Sequence, residues 1–387
     1  CFMKGSFKST FLFFLFFNLG FNCLCQQRII CAAEQIPKYI YLLENENIGI
    51  VANKASVVSR NSHLIDTLLA LGVNIKKVFV PEHGFRGEAD AGEKILNQKD
   101  PKTGLPILSI YGNQRKPSNK QLKGISIMVF DLQDVGVRFY TYISTLHYIM
   151  EACAEKNIPL IVLDRPNPNG HFIDGPVLEK DCKSFVGMHP VPIVYGMTIG
   201  EYAQMINGEG WLTNQIKCQL KVIKVKNYTH KTYYELPLRP SPNLPNSQAI
   251  ALYPSLCLLE PTVISVGRGT EMQFQIFGHP NLPKSKFNFT PKPNFGAKYP
   301  KLENKICNGV DLRKYNMTNK IELKWILDSY SNFPEPKSFF KEGFFRIAGT
   351  KKLKIQIEKG LSEDEIRKTW EDGLISFKST RLKYLLY

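Results

Sequence analysis

Short apolar runs alternate with segments of helical spacing as far as Val225, and this alternation restricts the fold more than any other feature. Ile48-Gly-Ile-Val-Ala52, Ile75–Val80, Leu105–Ile110, Ile125–Phe130, Pro159–Leu163, Val191–Val194 and Leu220–Val225 read as strands. Ser62–Leu71, Phe139–Ala154 and Ile199–Ile206 read as helices between them. Strands apolar on both faces belong in a parallel sheet covered on both sides. The expected class is therefore α/β, with a doubly wound parallel sheet. The alternation stops at Leu236-Pro-Leu-Arg-Pro-Ser-Pro-Asn-Leu-Pro-Asn246, where four prolines in eleven residues exclude helix and central strand. This stretch suits a domain boundary or an ordered wall of a site. A mixed α+β region follows. It closes on a helix that Ser362 and Glu365 start as a capping box, with Trp370, Leu374, Phe377, Leu382 and Leu385 placed to pack inward.

The N-terminal segment has a different character. Lys4 and Lys8 precede the run Phe11-Leu-Phe-Phe-Leu-Phe-Phe17, the pattern of a secretory signal peptide. Residues 1–30 are expected to be that signal or an N-terminal anchor, and Cys23 and Cys25 leave lipid attachment open. The run is short for a span, which needs about 20 apolar residues. The chain is thus expected to be exported, to the periplasm or beyond, with membrane contact only through this segment. The nine cysteines show no CxxC or Cys/His spacing, so neither a metal nor a disulfide framework is expected.

Lys+Arg 50 against Asp+Glu 34 gives a formal charge of +16, which attracts anions without naming one. The lysines are scattered, and no zinc-finger or RNP-like motif is present, so a nucleic-acid partner is not expected. No GxGxxG follows the first strand and no GxxxxGK[ST] occurs, so the sheet lacks a phosphate cradle and no cofactor is expected.

Three strands run into dense polar clusters. Ile75–Val80 leads into Pro81-Glu-His-Gly-Phe-Arg-Gly87, with Glu82, His83 and Arg86. Ile125–Phe130 leads into Asp131-Leu-Gln-Asp-Val-Gly-Val-Arg138, with Gln133, Asp134 and Arg138, then Tyr140 and Tyr142. Pro159–Leu163 leads into Asp164-Arg-Pro-Asn-Pro-Asn-Gly170, with Arg165, Asn167 and Asn169. In a parallel sheet all three emerge at one rim, where such folds bind ligands. Asp131 and Asp164 also suit plain helix caps, and the Asn-Pro-Asn-Gly tract a plain turn; convergence at one rim favours a site. The loop Val266-Gly-Arg-Gly-Thr-Glu271 is expected to bring Arg268 and Glu271 toward the same cleft.

These strings closely resemble the NamZ family of bacterial exo-β-N-acetylmuramidases. Ala89-Asp-Ala-Gly-Glu93, Gly175-Pro-Val177, Pro240-Ser-Pro-Asn-Leu-Pro245, Tyr253-Pro-Ser-Leu-Cys257 and Gly267-Arg-Gly-Thr-Glu271 extend the likeness from about Ala33 to Tyr387. Gln273 departs from it, standing where a proline is expected. The resemblance implies a Rossmann-like N-terminal domain (33–246), a smaller α+β C-terminal domain (247–387) completing a cleft, and release of N-acetylmuramic acid from non-reducing ends of peptidoglycan fragments. It puts the catalytic glutamate at Glu82. A proton donor of this kind needs a second group on the opposite face of the sugar. Asp131, Asp134, Asp164 and Glu271 are the candidate carboxylates, and the sugar's own 2-acetamido group is the alternative. Beside Glu82, His83 tunes the acid or binds a hydroxyl, and Phe85 is expected to desolvate it. Arg86, Arg138, Arg165 and Arg268 are candidates for the lactyl carboxylate of muramic acid. Gln133, Asn167 and Asn169 suit sugar hydroxyls, and Tyr140 a sugar face. A non-catalytic glycan-binding protein on the same scaffold is the competing expectation.

Overall fold

The computed structural model describes residues 27–59, 62–82, 85 and 97–387. The N-terminal apolar run, His83, Arg86 and the 89–93 string lie outside the described residues. Among the described residues, no helix is long and apolar enough to cross a membrane.

The chain opens with β1 (Ile48–Ala52), a small hairpin of β2 (Val57–Ser59) and β3 (Ser62–His63), and helix α1 (Leu64–Ala70). His63 caps α1, its Nδ1 accepting from Ile65 N–H, so the helix starts two residues later than its apolar spacing suggests. Next come β4 (Ile75–Val80), β5 (Gln98–Lys99), β6 (Pro106–Ser109), α2 (Asn119–Leu122), β7 (Ile127–Asp131), α3 (Tyr142–Glu155), β8 (Leu160–Leu163), α4 (Ile199–Gly208) and β9 (Leu220–Ile223). The sheet order is β5-β6-β4-β1-β7-β8-β9. Every neighbouring pair is parallel except β5 with β6. β1 sits at the middle, with Val51 beside Phe79 on one side and Phe130 on the other. The chain builds outward from β1 to β6, then crosses back to β7, which puts the reversal of strand order beside β1. This is the doubly wound sheet expected from the alternation, and the carboxyl ends of β4, β7 and β8 do share one rim.

Val191–Val194 is not a strand. Pro190 and Pro192 interrupt it and cannot donate to a ladder. Only isolated bridges form, from Val194 to Val137 and Asp174.

Past the proline-rich stretch lie α5 (Ser247–Leu256) and a small antiparallel sheet of β10 (Ile276–His279), β11 (Phe287–Phe289) and β12 (Cys307–Asp311), ordered β10-β12-β11. Six helices finish the chain: α6 (Lys324–Ser331), α7 (Pro336–Phe339), α8 (Phe344–Ala348), α9 (Lys352–Glu358), α10 (Glu363–Lys368) and α11 (Glu371–Leu382). The Ser362–Glu365 capping box forms, but the closing helix breaks at Trp370 into α10 and α11. Trp370 and Phe377 are buried, whereas Leu382 is 68% exposed and does not pack inward. The largest apolar cluster runs from β7 and α3 through α5 to Phe377, so both halves share one core. Cys31, Cys153, Cys182, Cys218, Cys257 and Cys307 are buried free thiols.

Arg138 is fully enclosed in that core. Its Nη1 donates to Pro176 O at 2.7 Å and Val191 O at 2.8 Å, and its Nη2 to Ala348 O at 2.7 Å and Ile347 O at 3.2 Å. Burial pushes its guanidinium down to about 9. Gly349 follows with φ +78, and a Cβ there would lie 2.1 Å from Nη2. A Gly349→Ala variant is expected to lose roughly 2–4 kcal/mol of stability, from left-handed strain plus overpacking. Denaturant unfolding measures it, and a parental midpoint would contradict this account.

Candidate active site

Three loops at the carboxyl rim build one acidic position. Glu82 follows β4, Tyr111 follows β6, and Thr141 lies between β7 and α3. Tyr111 Oη–H donates to Glu82 Oε1 at 2.9 Å, and Thr141 Oγ1–H donates to Oε2 at 3.0 Å. A hydroxyl both donates and accepts, so each partner can serve the carboxylate and the carboxylic acid alike. The arrangement suits a group that gives up and recovers a proton. Phe85 is not among the residues that line the cleft onto which Glu82 opens. It is buried in the cluster of β1, β4 and α1, with its ring edge-on to His63 at 5.1 Å.

Glu82 opens onto a cleft of about 440 Å³, within the range of small-molecule sites. The cleft floor is an aromatic group: Tyr253 meets Phe139, Tyr140 and Phe274 at ring-centroid distances of 5.2, 6.3 and 4.8 Å. Tyr140 lines the cleft, and its hydroxyl is committed to Pro240 O at 2.6 Å. Tyr142 is buried beneath it and accepts from Asn53 Nδ2. The proline-rich stretch is a wall of this cleft, through Ser241, Asn243 and Leu244. Asn243 is 1% exposed, and its Nδ2 donates to Gly296 O at 2.7 Å. Its Oδ1 has no hydrogen-bond partner among the described residues. A buried acceptor left unpaired costs about 1–3 kcal/mol, which a ligand N–H or O–H would recover.

Arg268 reaches the cleft, packed over Phe274, but is already paired. Its Nε and Nη2 hold Glu260 Oε2 at 3.0 and 2.7 Å. The pair raises the arginine and holds the Glu260 carboxyl below its usual range. Glu271 is exposed and off the cleft lining, because the loop turns it outward past Gly269. Arg115 and Arg346 line the cleft and were not among the sequence candidates. Neither has a carboxylate partner among the described residues; Arg115 lies over the Phe185 ring at 4.2 Å, and Arg346 is 5.7 Å from the Phe345 ring.

The other candidates sit at the rim but bond to one another instead of facing the cleft. Asp131 and Arg165 form a sealed pair, Nε to Oδ1 at 2.6 Å and Nη2 to Oδ2 at 2.8 Å. Asp134 accepts from Gly136 N–H and from the Tyr195 hydroxyl, and burial pushes it up to about 6. Gln133 Nε2 donates to Asp134 O and Pro166 O, both at 2.8 Å. Asn167 Nδ2 donates to Met197 O, and Asn169 Nδ2 to Val135 O and Ile250 O. Arg138 is spent in its carbonyl nest. The physical reason is common to all: loops that leave a sheet covered on both faces carry backbone groups that must be satisfied internally.

Asp164 is the densest of these junctions. Its Oδ1 accepts from Arg165 and Gly200 N–H, and its Oδ2 from Thr198 at 2.7 Å and Tyr387 Oη–H at 2.6 Å. Burial outweighs these bonds and pushes Asp164 up to about 7.

The class is now defined: an α/β protein working at the carboxyl ends of its strands, with a held carboxylate in a cleft that its second half completes. The chain belongs to the NamZ family. Residues 48–248 match the family model described as exo-beta-N-acetylmuramidase NamZ, N-terminal, and residues 251–387 its C-terminal counterpart. It is 38% identical over 374 residues to the peptidoglycan beta-N-acetylmuramidase NamZ of Bacillus subtilis (strain 168), covering 91% of this chain and 89% of that protein. Two crystal structures of DUF1343 family proteins from Bacteroides fragilis NCTC 9343 share the fold. One has TM-score 0.87 and 46% identity, the other 0.81 and 30%, each covering 93% of this chain and 99% of the other.

Asp164 binds a proton more tightly in the fold than in the unfolded chain. Its contribution to stability is full below pH about 4 and is lost as pH rises toward 7. His147, pushed down to about 4 by burial, acts in the opposite sense up to its ordinary value of 6.5. Differences between variants therefore isolate the aspartate better than the parent curve does. Asp164→Asn is expected to cost most at pH 4 and progressively less toward pH 7, read as Tm against pH. A pH-independent difference would contradict the assignment.

Proposed function

We propose that this protein is an exo-acting glycoside hydrolase that releases N-acetylmuramic acid from non-reducing ends of peptidoglycan fragments, in cell-wall turnover outside the cytoplasm. The observation that carries the reading is the Glu82 carboxyl, held by Tyr111 and Thr141 at the mouth of the cleft. Membership of the NamZ family supports the substrate class, and the apolar run Phe11–Phe17 is the feature that the exported location rests on.

Glu82 donates its proton to the glycosidic oxygen as the bond to the leaving sugar breaks. Its hydroxyl partners re-orient as the charge on the carboxyl changes. Of the carboxylates considered for the opposite face, Asp131, Asp134 and Asp164 are sealed and Glu271 lies off the cleft. Among the described residues, the other cleft carboxylate is Glu260, which Arg268 holds. In this reading the sugar's own 2-acetamido oxygen meets the anomeric carbon, as in substrate-assisted hydrolases. Asn243 Oδ1 is placed to accept from the acetamido N–H or a hydroxyl of the same sugar.

The deciding experiment is hydrolysis of N-acetylmuramic acid–β-1,4–N-acetylglucosamine by the parent and by Glu82→Gln. The parent is expected to release both sugars, and the variant to lose at least about a hundredfold in kcat with KM little changed. An equally active variant would remove Glu82 from the role, and an inactive parent that still binds the disaccharide would favour a glycan-binding protein. Asn243→Ala is expected to raise KM about tenfold while leaving kcat within a few-fold, the signature of a lost ground-state contact. Steady-state kinetics on the same disaccharide check it.

A further inference from the structure

N-Acetylmuramic acid differs from N-acetylglucosamine by one group, a lactyl ether that ends in a carboxylate. Selection for it needs a cation placed in the cleft and not already neutralised. Of the four arginines that the sequence offers, Arg86 lies outside the described residues and the other three are committed: Arg138 to four carbonyls, Arg165 to Asp131, Arg268 to Glu260. From the structure, and resting on the hydrolase reading above, we infer that Arg115 and Arg346 are the residues that read the lactyl carboxylate.

Four observations converge on this pair. Both guanidinia border the cleft that holds Glu82, and neither has a carboxylate partner among the described residues. Arg115 is pre-ordered, its guanidinium 4.2 Å from the centroid of the Phe185 ring, which itself lines the cleft. Stacking on an aromatic face leaves the planar fork of N–H donors free for a carboxylate. Arg115 also stands on the wall of the reacting acid. Tyr111, four residues earlier, bonds Glu82, and its ring lies 6.2 Å from Phe185. In exo cleavage the sugar next to the proton donor is the one carrying the lactyl ether, so a reader on this wall is in the right place. Arg346 comes from α8, on the opposite half of the chain. The carbonyl of its neighbour Ile347 is fixed by the buried Arg138. A carboxylate between the two walls would meet a guanidinium from each.

The selection works through charge. A sugar without the carboxylate leaves both guanidinia of the cleft lining without an anionic partner from the substrate. A sugar that carries it satisfies both with charge-assisted hydrogen bonds.

The test is a cycle between protein and substrate. Arg115→Met and Arg346→Met keep most of each apolar stem and delete the charge. They are compared with the parent on a chromogenic β-N-acetylmuramide and on the same glycoside with its lactyl carboxyl converted to the amide. The parent is expected to lose at least tenfold in kcat/KM on going from acid to amide, mostly in KM. Each single variant is expected to lose at least tenfold on the acid and much less on the amide, and the double variant to treat acid and amide alike. Variants that lose the same factor on both glycosides, or that keep the parental KM on the acid, overturn the assignment while leaving the hydrolase reading intact. If the parent cleaves neither glycoside, the hydrolase reading falls instead. Calorimetric binding of free N-acetylmuramic acid and its amide then runs the same cycle without turnover, and equal affinities in parent and double variant overturn the arginine pair.

Discussion

A guanidinium shut inside the core, with no carboxylate beside it among the described residues, is the constraint on which the rest of this molecule depends. A buried charge is costly unless polar groups surround it, so the carbonyls of Pro176, Val191, Ile347 and Ala348 must converge on Arg138. That requirement shapes three loops and a helix terminus at once. It also sets the cleft. Tyr140 and Thr141 lie just downstream of Arg138 on one wall, and Arg346 and Ile347 just upstream of Ala348 on the other. The separation of the two halves is therefore governed by hydrogen bonds at 2.7–3.2 Å and not by a flexible linker. Gly349 completes the clamp, because only a residue without a side chain fits beside the guanidinium in its left-handed conformation.

The carboxyl rim of the sheet divides its polar residues between two tasks. Most of them hold the loops together. Asp131 with Arg165, Asp164 with Thr198 and Tyr387, and Asn169 with α5 turn the strand ends into a cross-linked platform. Glu82 stands on that platform with a hydroxyl donating to each of its oxygens. A cross-linked support is what keeps a reacting group in place without reorganisation at each turnover.

Much of the fold was legible in the sequence because burial on two faces leaves a plain signature. β1 and β4 fall where their apolar runs lie, and Ser362 with Glu365 forms the capping box that its spacing announces. Val191–Val194 misled because apolarity records burial, while the flanking prolines decide whether a ladder can form. Glu82 was reached through the resemblance that its Pro-Glu-His-Gly string carries, not from composition or spacing alone. The other polar residues of the strand ends misled for a different reason. A sequence shows a charge but not its partner, and Arg165 meets Asp131 from 34 residues away. Arg115, Asn243 and Arg346 were missed from the opposite side. They belong to three unremarkable stretches that only tertiary folding brings to one cleft.

The thiols give this architecture an unadvertised clock. Six cysteines lie among the described residues, from Cys31 beside the sheet to Cys307 in the small antiparallel unit, and all six are buried and free. Burial pushes Cys218 up to about 12 and Cys307 up to about 11, so each is hidden from reagents and also held protonated. Alkylation at any one of them must wait for its own neighbourhood to breathe. The order in which they react therefore reads out which parts of the molecule open alone and which open only with the whole.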